Sequence, residues 1–154
     1  MPDKKQEGKL KIRNIKNGIS IDHITAGKAP EVLKILGIDQ GFKDSVTIAM
    51  NVKSSKMRNK DIVKVENRDL DVNEINKISV VAPQATINWI QDFRVVKKEE
   101  VKLPDELIGI VNCPNPSCIT NKDREPVKSI FLVKNTDPVV LVCKYCERET
   151  ESLY

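Results

Sequence analysis

The sequence predicts an α+β chain in two unequal parts, an antiparallel sheet covered on one face by two helices, followed by a small all-β unit. Three observations predict it. Between residues 10 and 100 the apolar residues switch between a two-residue and a helical repeat, in the order strand, helix, strand, strand, helix, strand. Aromatic residues make up only 4% of a chain that is 40% hydrophobic, so the core must come from Ile, Val and Leu, and the β-branched members of that set favour sheets. All four cysteines fall in two close pairs near the end, CPNPSC at 113–118 and CKYC at 143–146.

Residues 1–9 are polar and read as a disordered tail. Lys9, Lys11 and Arg13 alternate with Leu10 and Ile12, so a strand here sends three cations to one face. Asn17-Gly18 is a turn signal, after which Ile19 and Ile21 resume the alternation. A helix is expected over 30–36: Pro30 suits its first turn, Val32, Leu33, Ile35 and Leu36 form its apolar stripe, and Gly37 ends it. Val46, Ile48, Met50 and Val52 then recur at every second position, as in a half-buried strand. After the polar loop SSKMRNK, Ile62, Val63 and Val65 form the next strand, which bears Lys60 and Lys64. Asp71 with Glu74 three residues on is a capping-box pattern for a second helix, which carries Ile75, Ile78, Val81 and Ala82 on one stripe and stops at Pro83. A last strand is expected around 92–98. This order is the ferredoxin-like split arrangement.

The stretch KKEEVKLPDE is dense in charge and lacks both periodicities, so a boundary is read near 97–104, giving a first domain over 10–100 and a second over 101–154. The roughly 50 residues that remain are too few to rely on a hydrophobic core and need a staple. The cysteines supply one. Each pair brings two thiolates into a tight turn, and Ile130–Val133 and Val139–Val142 read as a hairpin joining the two turns through residues 134–138. That is a zinc-ribbon-like plan, in which Cys113, Cys118, Cys143 and Cys146 hold one structural zinc ion and leave no open coordination position. Two disulfides and a redox CKYC compete with this reading but leave the concentration of all four thiols in the small unit unexplained. By ligand type alone an iron–sulfur cluster also fits.

Charge and hydropathy exclude some classes. The apolar runs are far shorter than the roughly 20 residues a membrane helix needs, and the N-terminus lacks a signal-peptide stretch, so a cytoplasmic protein without membrane contact is expected. A net charge of +4 tolerates an anionic partner but is modest for a dedicated nucleic-acid binder.

GISIDHI at 18–24, KDIVKVEN at 60–67, VAPQATIN at 81–88, CPNPSC and CKYCE resemble, in order, the regulatory chain of aspartate carbamoyltransferase. The resemblance runs from about residue 10 to residue 149 and implies a non-enzymatic subunit of pyrimidine biosynthesis. It implies that the N-terminal domain binds CTP and ATP as allosteric effectors and pairs as a homodimer. The zinc domain would dock on the catalytic chain, three regulatory dimers linking two catalytic trimers. It also assigns residues: Asp22 and Lys64 at the ribose, His23 and Lys98 at the phosphates with Lys60 near them, and Ile12, Asn88, Ile90, Phe93 and Val95 around the base. Asn115 and Glu147 match positions that touch the catalytic chain. Where a better-known member of the family has an acidic residue and a tyrosine, this chain has Arg13 and Phe93, which leaves nucleotide preference open.

The residues themselves permit a site for a triphosphate, which needs several cations or amide donors converging on it. Lys60 and Lys64 are four apart on one strand and so face the same way. Read without the family, they and Lys98 are equally ordinary solvated lysines. A zinc-ribbon nucleic-acid-binding protein is the alternative function, disfavoured by the few aromatics available for stacking on bases. A thiol oxidoreductase lacks partners in a chain with one histidine and no nucleophile elbow.

Overall fold

A computed structural model describes residues 14–124 and 127–151 of the chain. The tail at 1–9 and the alternation at 9–13, Ile12 included, lie outside these residues.

Gly18–Thr25 (β1), Val46–Lys53 (β2), Asn59–Glu66 (β3), Thr86–Gln91 (β4) and Arg94–Glu100 (β5) form one antiparallel sheet in the order β2-β3-β1-β4-β5. Helix α1 (Ala29–Ile35) follows β1, and α2 (Val72–Val81) follows β3. Up to β4 this is the expected split arrangement, with β1 and β3 central. Alternation decides the faces. Ile19 and Ile21 of β1 and Val63 and Val65 of β3 are fully buried against Val32 of α1, Leu36 just past its end, and Ile78 and Val81 of α2. Ser20, Asp22 and Lys64 therefore lie on the other face, away from the helices. At the start of β1, Gly18 has φ +142, and a Cβ there would stand 2.1 Å from the Val65 carbonyl oxygen.

The capping box is present in full. The Glu74 N–H donates to Asp71 Oδ1 at 2.8 Å, and the Asp71 N–H donates to Glu74 Oε1 at 3.1 Å. Helix α1 has no side-chain cap from its own N-cap, Lys28. Asp61 on β3 replaces it, accepting the Ala29 N–H at 2.9 Å.

The strand expected at 92–98 is instead the turn and second arm of a hairpin. Asp92 and Phe93, at φ +49 and +64, make a two-residue turn between β4 and β5. Such turns are usually announced by Asn-Gly or Asp-Gly, and Phe at the second position gives no such signal. The Asp92 N–H donates to Asn17 Oδ1 and the Phe93 N–H to the Lys16 carbonyl, which hold the tip. Strand β5 then runs into the charged stretch at 97–100; an edge strand exposed along its whole length has no buried face to produce alternation.

The C-terminal sheet comprises Glu106–Ile108 (β6), Ile130–Thr136 (β7), Val139–Cys143 (β8) and Glu149–Thr150 (β9), antiparallel in that order. Strand β7 extends through most of the loop expected at 134–138, with a bulge between Val133 and Asn135 and a turn at Asp137-Pro138. Its core is Leu107, Val111, Phe131 and Leu141 packed with Cys113, Cys118 and Cys143. Val80 of α2 crosses between the lobes: it is buried in this second cluster, while its neighbours Ile78 and Val81 belong to the first. Among the described residues no helix is long and apolar enough to cross a membrane.

Candidate functional site

The four cysteine sulfurs converge between two turns of the small lobe. All lie within 4.8 Å of one another. Cys113 and Cys146 Sγ are 3.7 Å apart, as are Cys118 and Cys143 Sγ. Sulfurs placed about 2.3 Å from a central ion at tetrahedral angles are separated by about 3.8 Å, so the cluster has the size of a single tetrahedral metal centre. A disulfide needs its sulfurs about 2.05 Å apart, which excludes that pairing here, and a multi-iron cluster needs them wider.

The local chemistry fits anionic sulfur. Thr120 Oγ1 donates to Cys118 Sγ at 3.2 Å. Backbone N–H groups of Asn115, Thr120, Tyr145, Cys146 and Arg148 point at the four sulfurs. Burial pushes the Cys113 thiol up to about 12, whereas the Arg148 N–H draws Cys146 down to about 6. A cation held by all four must displace their protons, and the converging donors offset the negative charge left behind. Asn115 is buried, and its Oδ1 accepts the Ser117 N–H, so it shapes the first turn; Glu147 is exposed at φ +62 in the second.

The second constellation lies on the helix-free face of the first sheet. Cross-strand pairing aligns Thr47, Lys64, Ser20, Asn88 and Lys98 in one row over all five strands. The next row toward the hairpin is Glu66, Gly18, Ile90 and Val95. In the other direction come Asp22, Thr86 and Glu100. Two residues along a strand is about 6.6 Å, so the three rows span about 13 Å, from an apolar end to a charged one.

At the charged end Lys60 Nζ meets Asp22 Oδ1 at 2.9 Å, and the same oxygen accepts the His23 N–H at 2.6 Å. His23 sits in a β1 bulge at φ +56, its Nδ1 buried without a hydrogen-bond partner among the described residues. Burial lowers the pKa of Lys64, with the Asp22 carboxylate opposing. A partly desolvated ammonium beside a single carboxylate is a group an incoming anion would stabilise.

The structure thus gathers Asp22, Lys60, Lys64, Asn88, Ile90, Val95 and Lys98 on one face, with His23 in the bulge beside them. Phe93 stands apart at the hairpin tip, 65% exposed, and Ile12 lies outside the described residues. Sequence reasoning missed Ser20 and Thr86, which complete the rows. Their signal was available in the polar positions alternating with Ile19, Ile21 and Ile87.

Comparison with known proteins bears on both constellations. The family model described as "Aspartate carbamoyltransferase regulatory chain, allosteric domain" matches residues 10–102, and the one for the metal binding domain of the same chain matches 105–153. The aspartate carbamoyltransferase regulatory chain of Methanothermobacter thermautotrophicus is 49% identical over 150 residues, 97% of this chain and 95% of that one. The regulatory chain of Methanothrix thermoacetophila is 53% identical over 142 residues, 92% of each chain. That of Hyperthermus butylicus is 53% identical over 137 residues, 89% of this chain and 86% of that one.

Proposed function

The chain belongs to the aspartate carbamoyltransferase regulatory-chain family, with an allosteric and a metal-binding domain, and from that premise we propose that its first sheet binds CTP and ATP while its four cysteines hold one zinc ion. It is a non-catalytic regulatory subunit of pyrimidine biosynthesis. Zinc suits a closed four-sulfur tetrahedron, and with no open position its role is structural.

The observation that carries the nucleotide reading is the set of rows across the helix-free face. Ile90 and Val95 suit a base, Lys64 and Asp22 suit ribose hydroxyls, and Lys98, Lys60 and His23 suit a triphosphate. An effector that binds this face differently in two quaternary states shifts the attached enzyme by the difference in its binding energies.

Surfaces left open by each lobe support the assembly. On β2, which has no further strand beside it among the described residues, the exposed Ile48 and Met50 suit pairing with a second regulatory chain. Ile108, Ile119, Leu132 and Tyr145 are exposed on the small lobe and suit docking on the catalytic chain. Three regulatory dimers would then link two catalytic trimers.

Isothermal titration of CTP and ATP into the zinc-loaded chain tests the nucleotide site. Lys64→Ala and Lys98→Ala should each weaken binding by about tenfold or more, as expected for loss of a charge-assisted contact. Undiminished affinity in both variants, or no saturable binding by the parent, overturns the assignment.

A further inference from the structure

Asp61 is the one Asp, Glu, Lys or Arg that is buried among the described residues, and it is fully so. It lies on β3 next to Lys60, but its side chain goes to the opposite face. A carboxylate held away from water is costly unless its oxygens are met by donors. Here three backbone N–H groups meet them: Gly27 and Ala29 on Oδ2, both at 2.9 Å, and Asn51 on Oδ1 at 2.8 Å.

These donors come from places where the regular ladder fails. Strand β1 slips against β3 between Ile21 and Ile24, so Asp22 and His23 form a bulge. Strand β2 slips between Ala49 and Val52, so Met50 and Asn51 form another. Both bulges therefore flank β3 at Asp61 and Ile62, one from each side. His23 and Asn51 take φ +56 and +58, a left-handed region uncommon for residues with side chains but one that His and Asn enter more readily than most, as a bulge position requires. The Asn51 N–H, taken out of the ladder by its bulge, donates to Asp61 instead.

We propose that Asp61 is a positioning residue for the phosphate end of the effector site: its buried carboxylate fixes the β2 bulge and the start of α1 around β3, so that Lys60, Asp22 and His23 keep one arrangement. This rests on the nucleotide reading above. The linkage is continuous, since Lys60 follows from Asp61 through one peptide bond, Lys60 Nζ reaches Asp22 Oδ1, and that oxygen also holds the His23 N–H. The base end, at Ile90 and Val95 on β4 and β5, shares none of these bonds.

An asparagine at this position presents one oxygen and one NH2 group. With the oxygen toward Gly27 and Ala29, the NH2 faces the Asn51 N–H, and the β2 bulge loses its acceptor. The test compares CTP with cytidine by calorimetry on the full zinc-loaded chain. In Asp61→Asn the affinity for CTP should fall about tenfold and that for cytidine by clearly less, because cytidine meets Asp22 through its ribose but lacks the phosphates that Lys60 and His23 hold. Equal losses for the two ligands mark a merely structural role and overturn the proposal, as do affinities left unchanged for both. A parent chain that binds CTP no more tightly than cytidine removes the nucleotide reading itself and the proposal with it, a result distinct from the other two.

Hydrogen exchange on the parent chain covers the case in which the variant does not fold. Saturating CTP should slow exchange at Gly27, Ala29 and Asn51, amides bound to Asp61 and not to the ligand face. Bound CTP without added protection at these three overturns the proposal.

Discussion

Truncating Phe131 to alanine tests whether metal and fold are one equilibrium in the small lobe. Phe131 is fully buried, sits directly across from Cys143 in the β7–β8 ladder, and shares a cluster with Cys113, Cys118, Leu107, Val111 and Leu141. Removing a buried phenyl ring costs about 3–5 kcal/mol. So few apolar side chains cannot fold a lobe of roughly 50 residues unaided, so the metal-free lobe is unfolded in the parent as well as in the variant. The whole deficit then appears in metal affinity. Structural zinc contributes about 10–16 kcal/mol at neutral pH, enough to fold the variant with about 4 kcal/mol subtracted. At 1.4 kcal/mol per decade this is roughly a thousandfold weaker apparent binding. Competition with a chromophoric chelator at pH 7 measures it, while Trp89, in the other lobe, should keep its emission. A variant that binds zinc within tenfold of the parent would show that the lobe folds before it meets metal, refuting the reasoning.

Two further outcomes follow from the first sheet. If the chain pairs through β2 as proposed, Ile48→Lys, which places a charge on the exposed apolar row of that strand, should convert the proposed dimer to monomer in sizing chromatography with little change in unfolding midpoint; an unaltered elution volume would move the pairing surface elsewhere. Trp89 Nε1 donates to Asp69 Oδ1 at 2.7 Å, and this bond, together with the Leu70 N–H, holds the Asp69 carboxyl below its ordinary 3.8. Because the folded pKa is the lower one, the bond's contribution is present above the unfolded value and is lost as pH falls through the folded value. An acid titration of Trp89 emission should therefore turn below pH 3.8 and lose that transition in Asp69→Asn; a midpoint at or above 3.8 contradicts it.

What could be read in the sequence was whatever periodicity and spacing encode. Ile19 and Ile21, the Asp71 and Glu74 capping box and the paired cysteines each state their local structure through contacts within a few residues, and the structure has them as stated. The hairpin at Asp92 and Phe93 was not legible, because its positive φ angles are stabilised by Lys16 and Asn17, remote in sequence. Asp61 was hidden for a related reason. A lone acid between Lys60 and Ile62 looks like another exposed strand residue until the two neighbouring strands are seen to bulge around it. Lys64, Asn88 and Lys98 were individually nameable from family likeness, but only the ladder register puts them on one line.

The last turn of α2 belongs to both lobes, since Ile78 and Val81 face one cluster and Val80 the other. Severing the chain between the sheets would leave Val80 bare on one fragment and strip a wall from Leu107 and Phe131 on the other. Either half studied alone would carry a sticky scar where the intact molecule has a seam, and evolution could not retune that turn for one lobe without the other registering the change.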